Sequence, residues 1–221
     1  MKPYQLKGLS FLVYLQRNGL SGILGDEMGL GKTLQTLSLI QHIKETRYPV
    51  EKTTQTRPCL VVCPLSVLSS WMAESRRWTP GLKVLRFHGP MNERTRLKRV
   101  ASGEEDMYGN DTCFAINKRN KKLAAAGKQV VDLSSGNENE DEGSVGVDVV
   151  VTTYETFTAE QQWFKRAFVW KYVILDEGHK IKNEMSLIST ALQGLGAEYR
   201  LILTGTPLQN NLTELWALLH W

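Results

Sequence analysis

A chain of 221 residues with 42% hydrophobic and 23% charged side chains has the make-up of an ordinary globular domain and length enough for one large α/β core. No apolar run reaches the roughly eighteen residues of a membrane span and no secretory h-region opens the sequence, so no membrane partner is expected. Three cysteines without a CxxC pair or a His cluster argue against a disulfide framework or a zinc site, and for a reducing compartment. The net charge of +4 is uneven, because residues 101–147 hold nine acidic and five basic side chains, −4 in all, and leave +8 for the remainder. Residues 82–100 carry six Lys and Arg against one Glu, which reads either as a solvated helix face or as a phosphate-binding patch.

In chain order, the first helix is expected over 4–17. A short apolar strand over 20–25 runs into the glycine-rich GDEMGLGKT of 25–33, and Leu34, Leu37, Ile40 and Ile43 then recur at helical spacing, giving a helix over 32–45. CLVVC predicts a strand over 59–63 with Cys59 and Cys63 buried, followed by a helix over 66–78, a strand over 83–87 and a helix over 91–100. Residues 101–147, with SGEED, NKRNKK and SSGNENEDEGS, have a composition for disorder. They read as an insertion in a surface loop, tolerable because each doubling of loop length costs only about 0.6 kcal/mol in closure entropy. The pattern resumes with strands over 148–152, 171–176 and 199–204 and helices over 154–167, 185–194 and 211–220. Continuous apolar runs such as DVVVT and YVILD suit parallel strands covered on both faces. The expected fold is α/β, a mostly parallel sheet with helices on both faces, forming one domain over 1–221 that 101–147 interrupts.

Strand, glycine-rich loop, Lys-Thr and helix is an arrangement that binds a nucleoside triphosphate. Loop N–H groups and the helix N-terminus wrap the phosphates, Lys32 reaches the β/γ oxygens and the Thr33 hydroxyl ligates Mg²⁺. Asp26 stands where the strict pattern has Gly, so Gly29, Gly31, Lys32 and Thr33 carry the signal. KYVILDEGHK supplies the partner acids. Asp176 can hold Mg²⁺ through water, and Glu177 can orient or deprotonate the attacking water, the strand end pointing the two side chains in opposite directions. YRLILTGTPLQNN then places Thr204, Thr206 and Gln209 at the mouth of the site as sensors of the γ-phosphate. Three signals in this order favour a phosphate cradle over a simple turn.

DEMGLGKT, DEGH and LTGTPLQN together resemble the SWI/SNF-like ATPases of helicase superfamily two, the chromatin remodellers and related duplex-DNA translocases. MKPYQLKGLSFL, LVVCPLSVLSSWMAE and VVVTTYET extend the resemblance over nearly the whole chain outside 101–147. It implies a first RecA-like P-loop lobe that uses ATP and Mg²⁺. Gln5 would contact adenine. Asp26, Glu27, Met28, Gly29, Leu30, Gly31, Lys32 and Thr33 would hold the triphosphate together with Gln209. Thr33 and Asp176 would share the metal, and Glu177 would be the catalytic carboxylate.

On the DNA side the resemblance points to Ser66, Trp71, Thr152, Thr153, Lys180, Lys182, Asn183, Asn210 and Asn211. Ser66 is equally placed as a helix N-cap and Trp71 as a core residue. The implied partner is double-stranded, nucleosomal DNA in the nucleus. A DNA-repair translocase of the same family shares every motif, and a truncated, non-catalytic binding module is a third reading. A second RecA-like lobe with its arginine fingers is absent from these residues, so the lobe alone is expected to be nearly inactive, and an extension ahead of Met1 is expected. Separately, Val130, Val131, Asp132 and Leu133 with the following acidic run resemble a SUMO-interacting motif, and NKRNKK reads as a nuclear-import patch.

Overall fold

Each strand segment has Val, Ile or Leu at its heart, and six strands form: β1 Gly22–Leu24, β2 Cys59–Cys63, β3 Val84–Phe87, β4 Val149–Thr153, β5 Trp170–Asp176 and β6 Ala197–Leu203. The computed structural model describes residues 1–47, 57–125, 146–177, 185–192 and 194–205. Every pairing is parallel, in the order β1-β6-β5-β2-β4-β3. Parallel strands need crossover helices on their faces, which explains why β2 and β4 are buried at every position and read as unbroken apolar runs.

The chain divides into two units, one of residues 1–88 and 148–221 and one of residues 89–147. The first holds the sheet with α1 Pro3–Arg17, α2 Lys32–Arg47 and α3 Leu65–Trp78. Numbered in chain order, it also holds α6 Tyr154–Ala159, α7 Gln161–Ala167 and α8 Met185–Leu192. Side chains alternate along each strand. Cys59, Val61, Cys63, Val149, Val151, Ile174, Leu201 and Leu203 therefore join one core with Leu12, Leu37, Ile40, Leu68 and Trp71 of α1–α3. The opposite parity in β3 turns Phe87 to an aromatic cluster, stacked on Trp163 at 4.9 Å and edge-on to Phe164 at 5.1 Å. Trp170 closes that cluster, its indole N–H donating to the Phe164 carbonyl at 3.0 Å. On the other face α1 crosses α2 at Gly8, where a methyl group would stand 1.8 Å from Gln35 Oε1.

The strands lie within about two residues of their expected bounds, and the parallel α/β architecture is as expected. Three local features differ. The helix expected over 154–167 is two, because Glu160 leaves helical geometry at φ −111°, ψ 18° and serves both as the C-cap of α6 and the N-cap of α7. The β-branched and aromatic residues around it lose rotamer freedom in a continuous helix. Pro64, not Ser66, is the N-cap of α3. Residues 101–125 are folded rather than disordered, forming the second unit with α4 Met91–Ala101 and α5 Cys113–Ala125.

The reason is charge pairing. Glu105 takes Arg96 and Arg99, each at 2.9 Å, and Asp111 takes Arg99 at 2.7 Å and Arg119 at 2.6 Å. Thr112 caps α5 by accepting from the Ala115 N–H. The Arg96 and Arg99 cations of the basic 82–100 stretch are thus committed to acids of the 101–147 segment rather than held for a phosphate. The helix expected over 211–220 and the Val130–Leu133 motif lie outside the described residues.

Candidate functional site

β1, β6 and β5 are neighbours, and Leu24, Leu203 and Asp176 occupy one level of the sheet, Leu24 opposite Leu203 and Asp176 opposite Leu203. The loops leaving all three strands therefore emerge side by side at the carboxyl edge, where open α/β sheets bind ligands. This register brings the GDEMGLGKT loop, the Asp176–Glu177 pair and Thr204–Gly205 together. Thr204 is tied to the first of these strands by its N–H, which donates to the Leu24 carbonyl at 3.2 Å. Gly205 lies so near the loop that an added methyl would meet Met28 Cγ at 2.4 Å and Lys32 Nζ at 3.6 Å.

The loop takes its shape from Gly29 and Gly31, both at φ 82°, which side-chain-bearing residues rarely adopt. α2 begins at Lys32 directly behind it, so unpaired helix N–H groups face the loop mouth. Lys32 is only 8% exposed and donates to the Asp26 carbonyl at 2.7 Å and the Glu27 carbonyl at 3.0 Å. Asp26 is braced from behind by Gln35, whose amide donates to its carboxylate at 3.4 Å. Thr33, next to Lys32, is half-buried.

Gln5, on α1, grips the phosphate loop from the side. Its oxygen accepts the Lys2 N–H at 2.8 Å and its amide donates to the Leu30 carbonyl at 3.1 Å. A methyl on Gly31 would meet that amide at 2.4 Å.

Asp176 is buried, with 8% of its surface exposed. Burial pushes its carboxyl above the ordinary range, the Trp71 indole pulls it down, the neighbouring Glu177 charge raises it again, and the Glu177 N–H and Lys32 lower it. Its charge reaches outward. Burial and then Asp176 raise Glu74, and the same two influences, with Glu155 third, lift the Cys63 thiol to about 12. Tyr154 is driven well above its usual range by burial and by Asp176, while its hydroxyl donates to the Asp176 carbonyl at 2.8 Å. Such a concentration of negative potential, offset in part by Lys32, favours a divalent cation.

Among the described residues no three His, Cys, Asp or Glu side chains form a metal cage. The Thr33 hydroxyl and the Asp176 carboxylate are hard oxygen donors of the kind Mg²⁺ takes alongside substrate phosphates. Glu177 has φ 53°, the one positive value among described non-glycine residues. Its side-chain direction is set by this left-handed turn and not by strand alternation, contrary to the expectation from sequence.

Three expected DNA contacts are interior residues. Trp71 is 1% exposed and its indole N–H donates to Asp176 Oδ2 at 2.7 Å. The Thr152 hydroxyl donates to the Phe87 carbonyl at 2.9 Å, and Thr153 caps α6 by accepting the Thr156 N–H at 3.2 Å. Both threonines are fully buried. A strand covered on both faces consumes its hydroxyls internally. Ser66 is exposed near the start of α3. Lys180, Lys182, Asn183, Thr206, Gln209, Asn210 and Asn211 lie outside the described residues. Sequence reasoning missed Gln35 and Tyr154 as supports of the site. Their spacing from Asp26 and Asp176 carries no signal until the strands are paired.

Comparison with known proteins agrees with this geometry. A family profile described as the SNF2-related domain matches residues 4–221. The Arabidopsis thaliana ISWI chromatin-remodeling complex ATPase CHR11 is 40% identical over the whole of this chain, which spans 16% of that protein's length. The Saccharomyces cerevisiae transcription regulatory protein SNF2 is 38% identical, again over the whole chain, which covers 10% of it. Among solved structures, the Sulfolobus solfataricus SWI2/SNF2 ATPase core in complex with dsDNA superposes with a TM-score of 0.66 at 28% identity, over 99% of this chain and 34% of that one. The phosphate-loop edge and the parallel sheet are those of a RecA-like lobe, and the chain belongs to the SNF2-related domain family.

Proposed function

We propose that this chain is the ATP-binding lobe of a DNA-dependent ATPase that moves along double-stranded DNA, acting on nucleosomal DNA in the nucleus. The observation that carries the reading is the common level of Leu24, Leu203 and Asp176, which sets three chemically distinct loops around one site. The loop from Asp26 to Thr33 wraps the triphosphate, and Lys32 exchanges its two loop carbonyls for β/γ oxygens. Thr33 and Asp176 would hold Mg²⁺, which would supply neutralisation of the phosphate charge. Glu177 orients or deprotonates the attacking water, with Thr206 and Gln209 at the mouth. Gln5, which already grips the loop at Leu30, contacts adenine.

Similarity to an ATPase core solved with duplex DNA supports the DNA partner. Ser66, Lys180, Lys182, Asn183, Asn210 and Asn211 remain the candidate contacts. A second RecA-like lobe supplying an arginine finger is part of the proposal. A SUMO-type partner at Val130, Val131, Asp132 and Leu133 rests on sequence alone.

Two variants test the ATP site by equilibrium binding and single-turnover hydrolysis. Lys32→Ala is expected to weaken nucleotide binding at least tenfold, about 1.4 kcal/mol. Glu177→Gln is expected to bind nucleotide as the parent does while hydrolysis falls by roughly 10²–10⁴. Unchanged affinity in Lys32→Ala would remove the phosphate cradle from the reading.

A further inference from the structure

α3 joins two parts of the molecule that the ATP-site reading leaves unconnected. It starts at Leu65, presents Ser66 to solvent and buries Leu68, Trp71 and Ser75 along its inner face. Trp71 does more than fill the core, since its indole N–H donates to Asp176 Oδ2 at 2.7 Å.

A buried indole needs an acceptor, but a backbone carbonyl is enough. Trp170, equally buried, is satisfied by the Phe164 carbonyl at 3.0 Å. Trp71 instead meets a buried carboxylate whose ionised form it favours. A carboxylate offers about four lone-pair sites. Among the described residues the indole and the Glu177 N–H take two of them, which leaves about two for a cation. The backbone of the same residue is held independently by the Tyr154 hydroxyl at 2.8 Å.

We propose that Trp71 is a positioning residue for the Mg²⁺–nucleotide site: from α3 it fixes the Asp176 carboxylate so that its remaining lone pairs face the phosphate loop. The proposal rests on the ATP-site reading above. Partners of this kind, one bond removed from a metal, typically contribute 10–100-fold in metal affinity. The arrangement also makes a displacement of the Ser66 end of α3 felt at the metal-binding carboxylate.

Trp71→Phe keeps the apolar bulk and removes the N–H. A fluorescent ATP analogue is titrated into the full chain and the variant, in excess Mg²⁺ and in EDTA. The expected result is an affinity in EDTA within about twofold of the parent, while the gain that Mg²⁺ adds shrinks about 10–100-fold. An undiminished gain overturns the proposal. So does an equal loss with and without Mg²⁺, which is the pattern of packing damage and the one expected of Leu68→Ala on the same buried face. In the parent, the Trp71 indole ¹⁵N–¹H resonance, identified by its disappearance in the variant, should move when Mg²⁺ is added to the ATP complex. A resonance that stays in place also counts against it. A parent without Mg²⁺-dependent affinity overturns the ATP-site reading with it, whereas a responsive parent and an equally responsive variant overturn Trp71 alone.

Discussion

Burying a carboxylate beside a second one opposes folding, and Asp176 is such a group. Burial first, and the Glu177 charge after it, outweigh the Trp71 indole, the Glu177 N–H and Lys32. A folded-state value above the unfolded one means that the folded chain retains a proton the unfolded chain has released. Stability from this site therefore falls as pH rises from the ordinary carboxylate range through the raised value. Asp176→Asn is expected to melt higher than the parent at pH 7, by about 2–4 °C for each kcal/mol regained in a chain of this size. It should also lose Mg²⁺-dependent nucleotide binding. The stability advantage should vanish below the ordinary carboxylate range, where both carboxyl states are protonated, and thermal melts at the two pH values check it. That the loop after β1 and the acids after β5 would meet at one sheet edge was expected from the sequence, because phosphate chemistry restricts residue type and spacing. The sides taken by Thr152 and Thr153 were not legible. In strands covered on both faces, alternation does not separate a wet side from a dry one.

The aromatic cluster is where α6 and α7 are fastened to the sheet. Phe157, Phe164 and Trp170 are fully buried, and Phe164 touches Phe87 at 5.1 Å, Phe157 at 5.3 Å and Trp163 at 4.9 Å between ring centroids. Phe164→Ala is expected to cost about 3–5 kcal/mol, seen as a lower urea midpoint with an unchanged slope, while nucleotide affinity of the folded fraction stays at the parent value. A coupled loss of affinity would mean that the two faces of the sheet are not energetically separate. Strands and most helices could be read from apolar runs and helical spacing. The segment that carries α5 could not, because composition counts charges and not their partners. Arg96, Arg99, Glu105 and Asp111 look like unpaired solvated charge until the chain turns back on itself at the Glu105–Asp111 bridge. The break at Glu160 was hidden for a similar reason, since its helical flanks carry the same periodicity on both sides.

At the scale of the whole molecule, the proposed machine is a pair of lobes, in which this lobe would bind the phosphates and metal and the second would bring the arginine finger. Such a finger is worth about 10³–10⁵ in rate. The 221-residue chain is therefore expected to turn ATP over slowly with or without duplex DNA, and a robust DNA-stimulated rate in a steady-state assay would count against the two-lobe view. The strand order has a further effect, on the schedule of synthesis. β1 is an edge strand and, among the described residues, pairs only with β6, a junction that ties together residues 179 positions apart. At about 5–20 residues per second on the ribosome, Gly22–Leu24 waits on the order of ten seconds or more for its neighbour. During that interval β2, β3 and β4 can pair, but the glycine loop has no sheet edge to hang from. The phosphate cradle, translated ahead of every other strand of this sheet, is among the last parts of the lobe to acquire its shape, and a nascent chain must be sheltered from edge-to-edge association until then.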